Sequence, residues 1–448
     1  MPGAVETGAE LDGFTVGDHL HAGAMGDVFR CTGHGLTQPL VMKVPRLGSG
    51  EQSESMLGFQ TEAAILPRLK GCHVPALIAT GDLTRTPYLV LEWIPGTTLE
   101  ARFAGGPLPA AELAAIGAAV ADALHAVHRQ TVIHLDVKPT NVILRPDGTA
   151  VLIDFGLAHH AELPDLFAEE TRFRAGSAPY VSPEQLLGTR EDPRSDLFAL
   201  GVTLYEAATA ALPFGEPETD VRNRFWLDPP PPSSLAPEVP PWLQEVILRC
   251  LEPSAELRYQ SAAHVAFDLR EPQQIVLTAR ATKAKRAGLF AHVQRFLHAH
   301  AEHAARLRSP AALPSTTPIV LVAIDTEHLE DERHPAIHFA LSQILASSSE
   351  FRLLCLSVIA PGGSTLEHLV RLRQWVEPLG LPAERLSLHA LEASSPAEAI
   401  VELARHNNVD LIVLGAPSDS GRAWAQSVAS TVSGKAPCSV HLVRVAKR

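Results

Sequence analysis

The rhythm of apolar and polar positions changes twice along the chain. From about residue 14 to 270, short β-like runs alternate with helical runs and Pro-rich loops. Within this part the Ala-rich stretch Leu113–Val127, which carries Asp122, reads as a core helix, and Asp228–Pro232 (DPPPP) reads as a surface loop. Residues 271–312 read as one or two polar helices, and Ser309–Pro318 as a linker. Beyond it, Ile319–Ile324, Leu353–Ile359, Leu411–Leu414 and Val440–Val445 are near-continuous apolar runs, as expected of strands buried on both faces of a parallel sheet. Weaker alternation at Arg385–Leu391 adds a fifth strand. Helical patterns at His334–Ala346, Leu366–Val376, Pro396–Arg405 and Arg422–Val432 lie between them. The alternation predicts an α/β doubly wound domain with a five-stranded parallel sheet, whose ligand would sit at the carboxyl ends of the strands.

At about 150 residues per domain, 448 residues predict two to three domains. The net charge of −13 argues against a general binder of nucleic acid or anionic membrane, both of which need cationic surface. The segment Glu271–Pro310 is locally basic, and a solvated helix docked on acidic neighbours is its simplest reading. No apolar stretch reaches the roughly 18 residues of a spanning helix. Residues 1–13 have neither a basic start nor an apolar run, so a disordered leader is expected rather than a signal peptide. Five widely separated cysteines give no disulfide or zinc framework and fit a reducing, cytoplasmic setting.

The candidate chemistry lies in the first part. Gly23 and Gly26 precede an apolar run and would let backbone close over a polyphosphate. Lys43 sits inside the β-like Val41–Val44, and Glu62 lies in a helical run able to face it. Downstream, His134-Leu135-Asp136-Val137-Lys138-Pro139-Thr140-Asn141 is followed by Val151-Leu152-Ile153-Asp154-Phe155-Gly156. Asn141 and Asp154 can form a hard oxygen site suited to Mg²⁺, which leaves Asp136 to accept a hydroxyl proton.

As a set, these residues resemble the eukaryotic-like protein kinases. The order matches: Gly-rich loop, strand Lys, helix Glu, HxDxKPxN, DFG, then Gly176–Glu184 where the family has an APE-type segment. Ser195–Gly201 resembles the family's following helix with its buried Asp, and Arg258 the Arg that pairs with the Glu184 position. The resemblance implies a two-lobed α+β kinase fold over 14–270, with an N-lobe to residue 94 and a C-lobe from 95. It implies ATP and Mg²⁺ as cofactors and protein Ser/Thr hydroxyls as acceptors. Leu20, Gly23, Gly26 and Val28 would cover ATP, and Lys43, paired with Glu62, would hold its phosphates. Leu91 would be the gatekeeper, with Glu92, Trp93 and Ile94 as the adenine hinge. Asp136 would orient the acceptor, Lys138 would stabilise the transferred group, and Asn141 and Asp154 would hold Mg²⁺. Thr171 and Ser177 would be activation-segment sites.

The sequence departs from the family at His21, where the loop's first glycine lies, and at Ser182, which replaces an Ala. It departs also at Leu135, in place of the Arg that normally pairs with a phosphorylated activation loop. Activity independent of that phosphorylation is the expectation. The alternative is a catalytically weak pseudokinase serving as an ATP-binding scaffold.

In the last part, Ala323–Glu327, Val409–Gly415 and Ala436–Val440 resemble the universal stress protein domain over 316–448, with 271–315 as a basic helical linker. That resemblance implies regulation or localisation of the kinase and a homodimer paired through the last strand. It makes Asp325, Gly415 and Ser427 a candidate second nucleotide site. Ser418 and Gln426 stand where later glycines would lie, which argues against phosphate binding there.

Overall fold

The computed structural model describes residues 6–23, 26–33, 35–45, 52–82, 86–169, 177–215, 227–285, 318–329, 333–347, 351–363, 365–381, 385–416 and 427–444. The chain forms two compact units, residues 1–262 with 278–314, and residues 263–277 with 315–448.

The first unit begins with a six-stranded antiparallel sheet. Its strands are β1 (Glu10–Leu11), β2 (Phe14–Ala22), β3 (Asp27–Gly33), β4 (Leu40–Val44), β5 (Leu77–Thr80) and β6 (Leu89–Glu92), in the order β1-β2-β3-β4-β6-β5. Val16, Phe29, Cys31, Leu40, Met42, Tyr88 and Val90 form its apolar core. Residues 10–13, expected to be disordered, instead make a hairpin with Glu10 opposite Thr15. Asp12 (φ 49°) and Gly13 (φ 86°) supply the two left-handed residues that a tight two-residue turn requires. The Tyr88 hydroxyl donates to Asp12 at 2.5 Å and pins that turn. Helix α1 (Gln52–Ile65) follows β4.

The second lobe of this unit is mainly helical. Its elements are α2 (Leu99–Phe103), α3 (Ala110–His128), α4 (Leu166–Glu169), α5 (Pro183–Leu186), α6 (Arg194–Thr209), α7 (Pro232–Leu235) and α8 (Pro241–Cys250). Short strands β7 (Thr97–Thr98), β8 (Val132–Ile133), β9 (Val142–Leu144), β10 (Ala150–Leu152) and β11 (His159–His160) form two small antiparallel ladders, β10-β9-β7 and β11-β8. Among the described residues, only α3 is long and apolar enough to cross a membrane. Leu113, Val120, Leu124 and Val127 on that helix are buried within the lobe, as a core helix requires.

The Asp228–Pro232 stretch is not the expected surface loop. Asp228 is buried and pairs with Lys283, while Tyr205 donates to Pro230 O. These partners satisfy the polar groups that would otherwise need water. Residues 278–283 are strapped onto α8. Gln244 donates to the carbonyls of Arg280, Ala281 and Lys283, and Glu245 accepts from the Thr278 and Ala281 amides.

The second unit is a five-stranded parallel sheet. Its strands are β12 (Ile319–Ala323), β13 (Arg352–Ile359), β14 (Leu386–Glu392), β15 (Leu411–Gly415) and β16 (Ser439–Val443), in the order β14-β13-β12-β15-β16. All four ladders are parallel, with Val320 opposite both Leu353 and Leu411. The four longest apolar runs thus supply β12, β13, β15 and β16, and the weaker alternating run supplies edge strand β14. Helices α10 (Arg333–Ser347) and α11 (Thr365–Val376) contribute to one core layer, through Ile337, Leu341, Leu372 and Trp375. Helices α12 (Pro396–His406) and α13 (Val428–Lys435) contribute Ile400, Ala404 and Val432 to the other. The last helix is described from Val428, with Ser427 as its N-cap, and residues 422–426 of the expected span lie outside the described set.

Ala263 and Phe267 of helix α9 (Ala262–Arg270) join that second core layer. The Arg352 guanidinium meets Asp268 at 2.6 Å, stacks 4.3 Å from the centre of the Phe267 ring and donates to Ser387. Gln274 donates to Leu388 O and accepts from Leu388 N, which covers part of the β14 edge. Residues 263–277, expected at the close of the first domain and the start of a helical linker, therefore fold with the second. Past α9, residues 271–285 hold a single 3₁₀ turn, Pro272–Gln274, and residues 286–317 lie outside the described set.

Candidate active site

The β2–β3 hairpin presents the glycine turn. Gly23 N donates to Gly26 O at 2.9 Å. Any Cβ at Gly26 would collide with Val44 O, so the close approach of the turn to β4 demands glycine. Leu20 is exposed, and Val28 lies opposite Lys43 in the β3–β4 register. His21, in the place of a glycine, is exposed and pairs with Val28 in the hairpin.

Lys43 donates to Glu62 of α1 at 2.5 Å and to Asp154 at 2.7 Å. Phe155 N donates to the other Glu62 oxygen. Burial disfavours the Lys43 ammonium, but Asp154 and Glu62 outweigh it and raise its pKa. Burial pushes the Glu62 carboxyl up against the pull of Lys43. Burial would raise Asp154 too, yet Lys43 holds it below the usual carboxylate range. One ammonium thus faces two carboxyl groups. Asp154 adopts φ 65°, a costly conformation for a non-glycine residue and one that concentrates at functional sites.

The expected hinge runs along β6. Leu91 is buried opposite Val41, and Glu92 pairs with Arg145 at 3.0 Å. Trp93 N donates to Pro39 O, and its ring lies 4.9 Å from the Arg30 guanidinium. Ile94 is buried.

The loop that leads into Asp136 is held by a buried carboxylate. Asp196 at the start of α6 accepts from His134 N at 2.9 Å, Leu135 N at 2.8 Å and the His128 ring at 2.8 Å. Burial opposes its charge, and the His128 contact reverses that and lowers its pKa. Leu135 has φ 62°, and Gln185 fixes its carbonyl at 2.9 Å. The strained backbone is therefore restrained on both its N–H and its C=O.

Above this support, Asp136 Oδ2 accepts from Lys138 at 2.8 Å and from the Asn141 amide at 2.9 Å. Its Oδ1 accepts from Ser177 N at 3.1 Å, and Lys138 donates to the Ser177 hydroxyl at 2.5 Å. The structure thus places a hydroxyl against Lys138 and beside the Asp136 carboxylate, the chemistry a Ser/Thr acceptor presents. Thr171 lies outside the described residues.

The platform beyond Ser177 rests on a second buried charge. Arg258 grips Glu184 with two bonds, at 2.6 and 2.8 Å, and donates to the carbonyls of Arg194, Glu252 and Pro253. Burial alone would raise the Glu184 pKa, and Arg258 lowers it. Ser182 caps α5 through a reciprocal pair with Gln185.

Asn141 turns its NH₂ to the Asp136 side chain and carbonyl, which directs its amide oxygen elsewhere, and Asp154 is partly exposed. One amide oxygen and one carboxylate, beside a carboxyl-rich cluster, fit a Mg²⁺ ion that completes its shell with phosphates and water.

In the second unit, Asp325 follows β12 and Gly415 ends the adjacent β15, so both lie at the carboxyl edge of the sheet. Asp325 is exposed and accepts from Glu327 N and the His328 ring. Ser427 caps α13 by accepting from Ser430 N. Ser418 and Gln426 are outside the described residues. Next to Asp325, Thr326 makes buried bonds to Ser357 at 2.7 Å and to His368 at 2.5 Å. The motif order offered no sign of this cluster, of His128 or of Gln185, because each meets its partner only once the chain has folded.

The fold and the cleft are those of a protein kinase domain, and the family comparison agrees. Residues 14–267 match the protein kinase domain family, and the chain belongs to it. Residues 317–444 match the universal stress protein family. The chain is 32% identical over 265 residues to serine/threonine-protein kinase PknB of Mycobacterium leprae, covering 58% of this chain and 42% of that protein. It is 31% identical to a probable serine/threonine-protein kinase of Clostridium perfringens, covering 56% of this chain and 36% of that one. The chain thus spans less than half the length of these two relatives. The crystal structure of the Mycobacterium tuberculosis PknI kinase domain matches with a TM-score of 0.47 and 26% identity, covering 60% of this chain and 99% of that one.

Proposed function

We propose that the chain transfers the γ-phosphoryl group of ATP to Ser/Thr hydroxyls of proteins. The observation that carries this reading is the hydroxyl of Ser177 seated on Lys138, with its amide on Asp136, while Lys43 bridges Glu62 and Asp154. In this reading Asp136 orients the acceptor hydroxyl and takes up its proton, while Lys138 offsets charge on the group in flight. Lys43 positions the nucleotide phosphates, and Leu91 and Ile94 give the adenine an apolar wall. Asn141 and Asp154 would hold Mg²⁺, which would supply charge neutralisation at the phosphates.

The decisive assay gives the full chain Mg²⁺ and labelled ATP with a generic protein acceptor, beside Asp136→Ala. Label in protein that vanishes in the variant supports transfer. Nucleotide binding without transfer selects the scaffold reading, and label on small molecules alone selects a different acceptor. The second unit, in this proposal, regulates or localises the first. Support comes from residues 263–277: the kinase match runs to residue 267, so the family's own last residues fold within the second unit.

A further inference from the structure

Arg190, in the turn between α5 and α6, reaches back to the segment that follows Asp154-Phe155-Gly156. Its Nη2 donates to Leu157 O at 2.9 Å, and its Nε donates to Asp165 at 2.7 Å. The guanidinium also lies 5.2 Å from the centre of the Phe167 ring. The other Asp165 oxygen accepts from Phe167 N, and His159 stands 3.3 Å from the carboxylate. The Arg190 and Asp165 side chains are only 10% and 15% exposed, so water screens their charges weakly. Phe167 belongs to α4, which packs against α1, the helix that carries Glu62. One cation therefore holds both ends of Leu157–Phe167, three residues past Asp154 at one end and against the Glu62 helix at the other.

We propose that Arg190 is a positioning residue that sets this segment, and through it Asp154 and α1, so that transfer needs no phosphate on the loop that follows. Leu135 offers no cation to receive such a phosphate, whereas Arg190 obtains its anion from Asp165 within the protein. A guanidinium suits the task better than an ammonium, because it serves a carbonyl, a carboxylate and a ring face at once.

The inference rests on the kinase reading, and two measurements on the full chain keep the two separable. The first is turnover. Arg190→Ala is expected to lower kcat about 10- to 100-fold, as small misplacements of reacting groups do, with KM for ATP changed less than about threefold. Arg190→Lys should recover part of the loss. Asp165→Asn should lower kcat, and the double variant should be no worse than the poorer single one. Protein stripped by a phosphatase should keep its kcat. The second measurement is hydrogen exchange of the Leu157–Phe167 amides, expected to quicken at least about tenfold in Arg190→Ala while the α3 and α6 amides hold their rates. Unchanged exchange overturns the clamp, even if the wild type transfers nothing and the kinase reading itself fails. Quickened exchange with unchanged kcat overturns the positioning role, and loss of kcat on phosphatase treatment overturns independence from phosphate.

Discussion

The kinase cleft and the carboxyl edge of the second sheet both gather polar side chains, but they use them differently. In the cleft, Asp136 holds Lys138 and Asn141, Lys43 bridges Glu62 and Asp154, and an acceptor hydroxyl already has a likeness in Ser177, seated on Lys138. At the sheet edge, Thr326, Ser357 and His368 close on themselves in a buried cluster, while Asp325 points to solvent with only local partners. Polar groups that satisfy each other completely stabilise a fold. Charges left in imbalance, two carboxyls to one ammonium around Lys43, create a demand that a cation can meet.

The largest expected effect is chemical. Asp136→Ala should reduce kcat by roughly 10²- to 10⁴-fold with the far-UV circular dichroism unchanged. A variant that kept a tenth of the activity would remove the cleft's claim to be the catalytic centre.

Next come the two buried arginine pairs, one per unit. Glu184→Ala strands Arg258, and Asp268→Ala strands Arg352, each at an expected cost of about 3–5 kcal/mol in the unfolding of its own unit. Urea transitions followed by region-specific hydrogen exchange would read them. Equal loss in both units from either change would mean that they unfold as one body.

Acid should then separate the units. Burial, with help from Arg352, lowers the His389 pKa from 6.5 to about 4. A depressed histidine stays neutral in the fold and protonates first in the unfolded chain. Its stabilising share is complete above about pH 6.5 and falls by roughly 3 kcal/mol as pH drops toward 4. Glu184 and Asp196 are also lowered, but they are carboxylates, so their share persists until the pH nears the ordinary carboxyl range, about 4, and is lost below it. Thermal melts between pH 7 and 5 should therefore weaken the second unit more, and His389→Phe should flatten that slope.

The smallest expected signal is a count. Equilibrium dialysis with ATP and Mg²⁺ should give one nucleotide per chain, weakened at least about tenfold by Lys43→Ala. A second equivalent that survives Lys43→Ala would show that the sheet edge binds nucleotide after all.

The cleft was legible in the sequence because its parts sit in short motifs whose internal spacing survives folding. Asp136, Lys138 and Asn141 are within five residues, and the ladder of β9 and β10 brings Asp154 to them. The four apolar runs and the weaker alternation at Arg385–Leu391 likewise announced the five parallel strands. Arg190 and Asp165 lie 25 residues apart and carry no motif, so only the folded segment pairs them. His128 meets Asp196 across 68 residues for the same reason. The Asp12-Gly13 turn was readable in principle, as a two-residue hairpin signal, but the lack of any apolar run over residues 1–13 argued for a disordered leader. The fate of residues 263–277 was hidden, because a helix with buried faces does not state which core it enters.

That last stretch bears on how the two families were joined. A simple end-to-end fusion would leave a single seam, yet residues 263–277 fold with the second unit while residues 278–285 return to the first. No one cut yields both parts whole. Anyone grafting a different stress-protein module onto this kinase domain would have to transplant Ala263–Leu277 along with it, or redesign Phe267 and Asp268 to suit the new sheet.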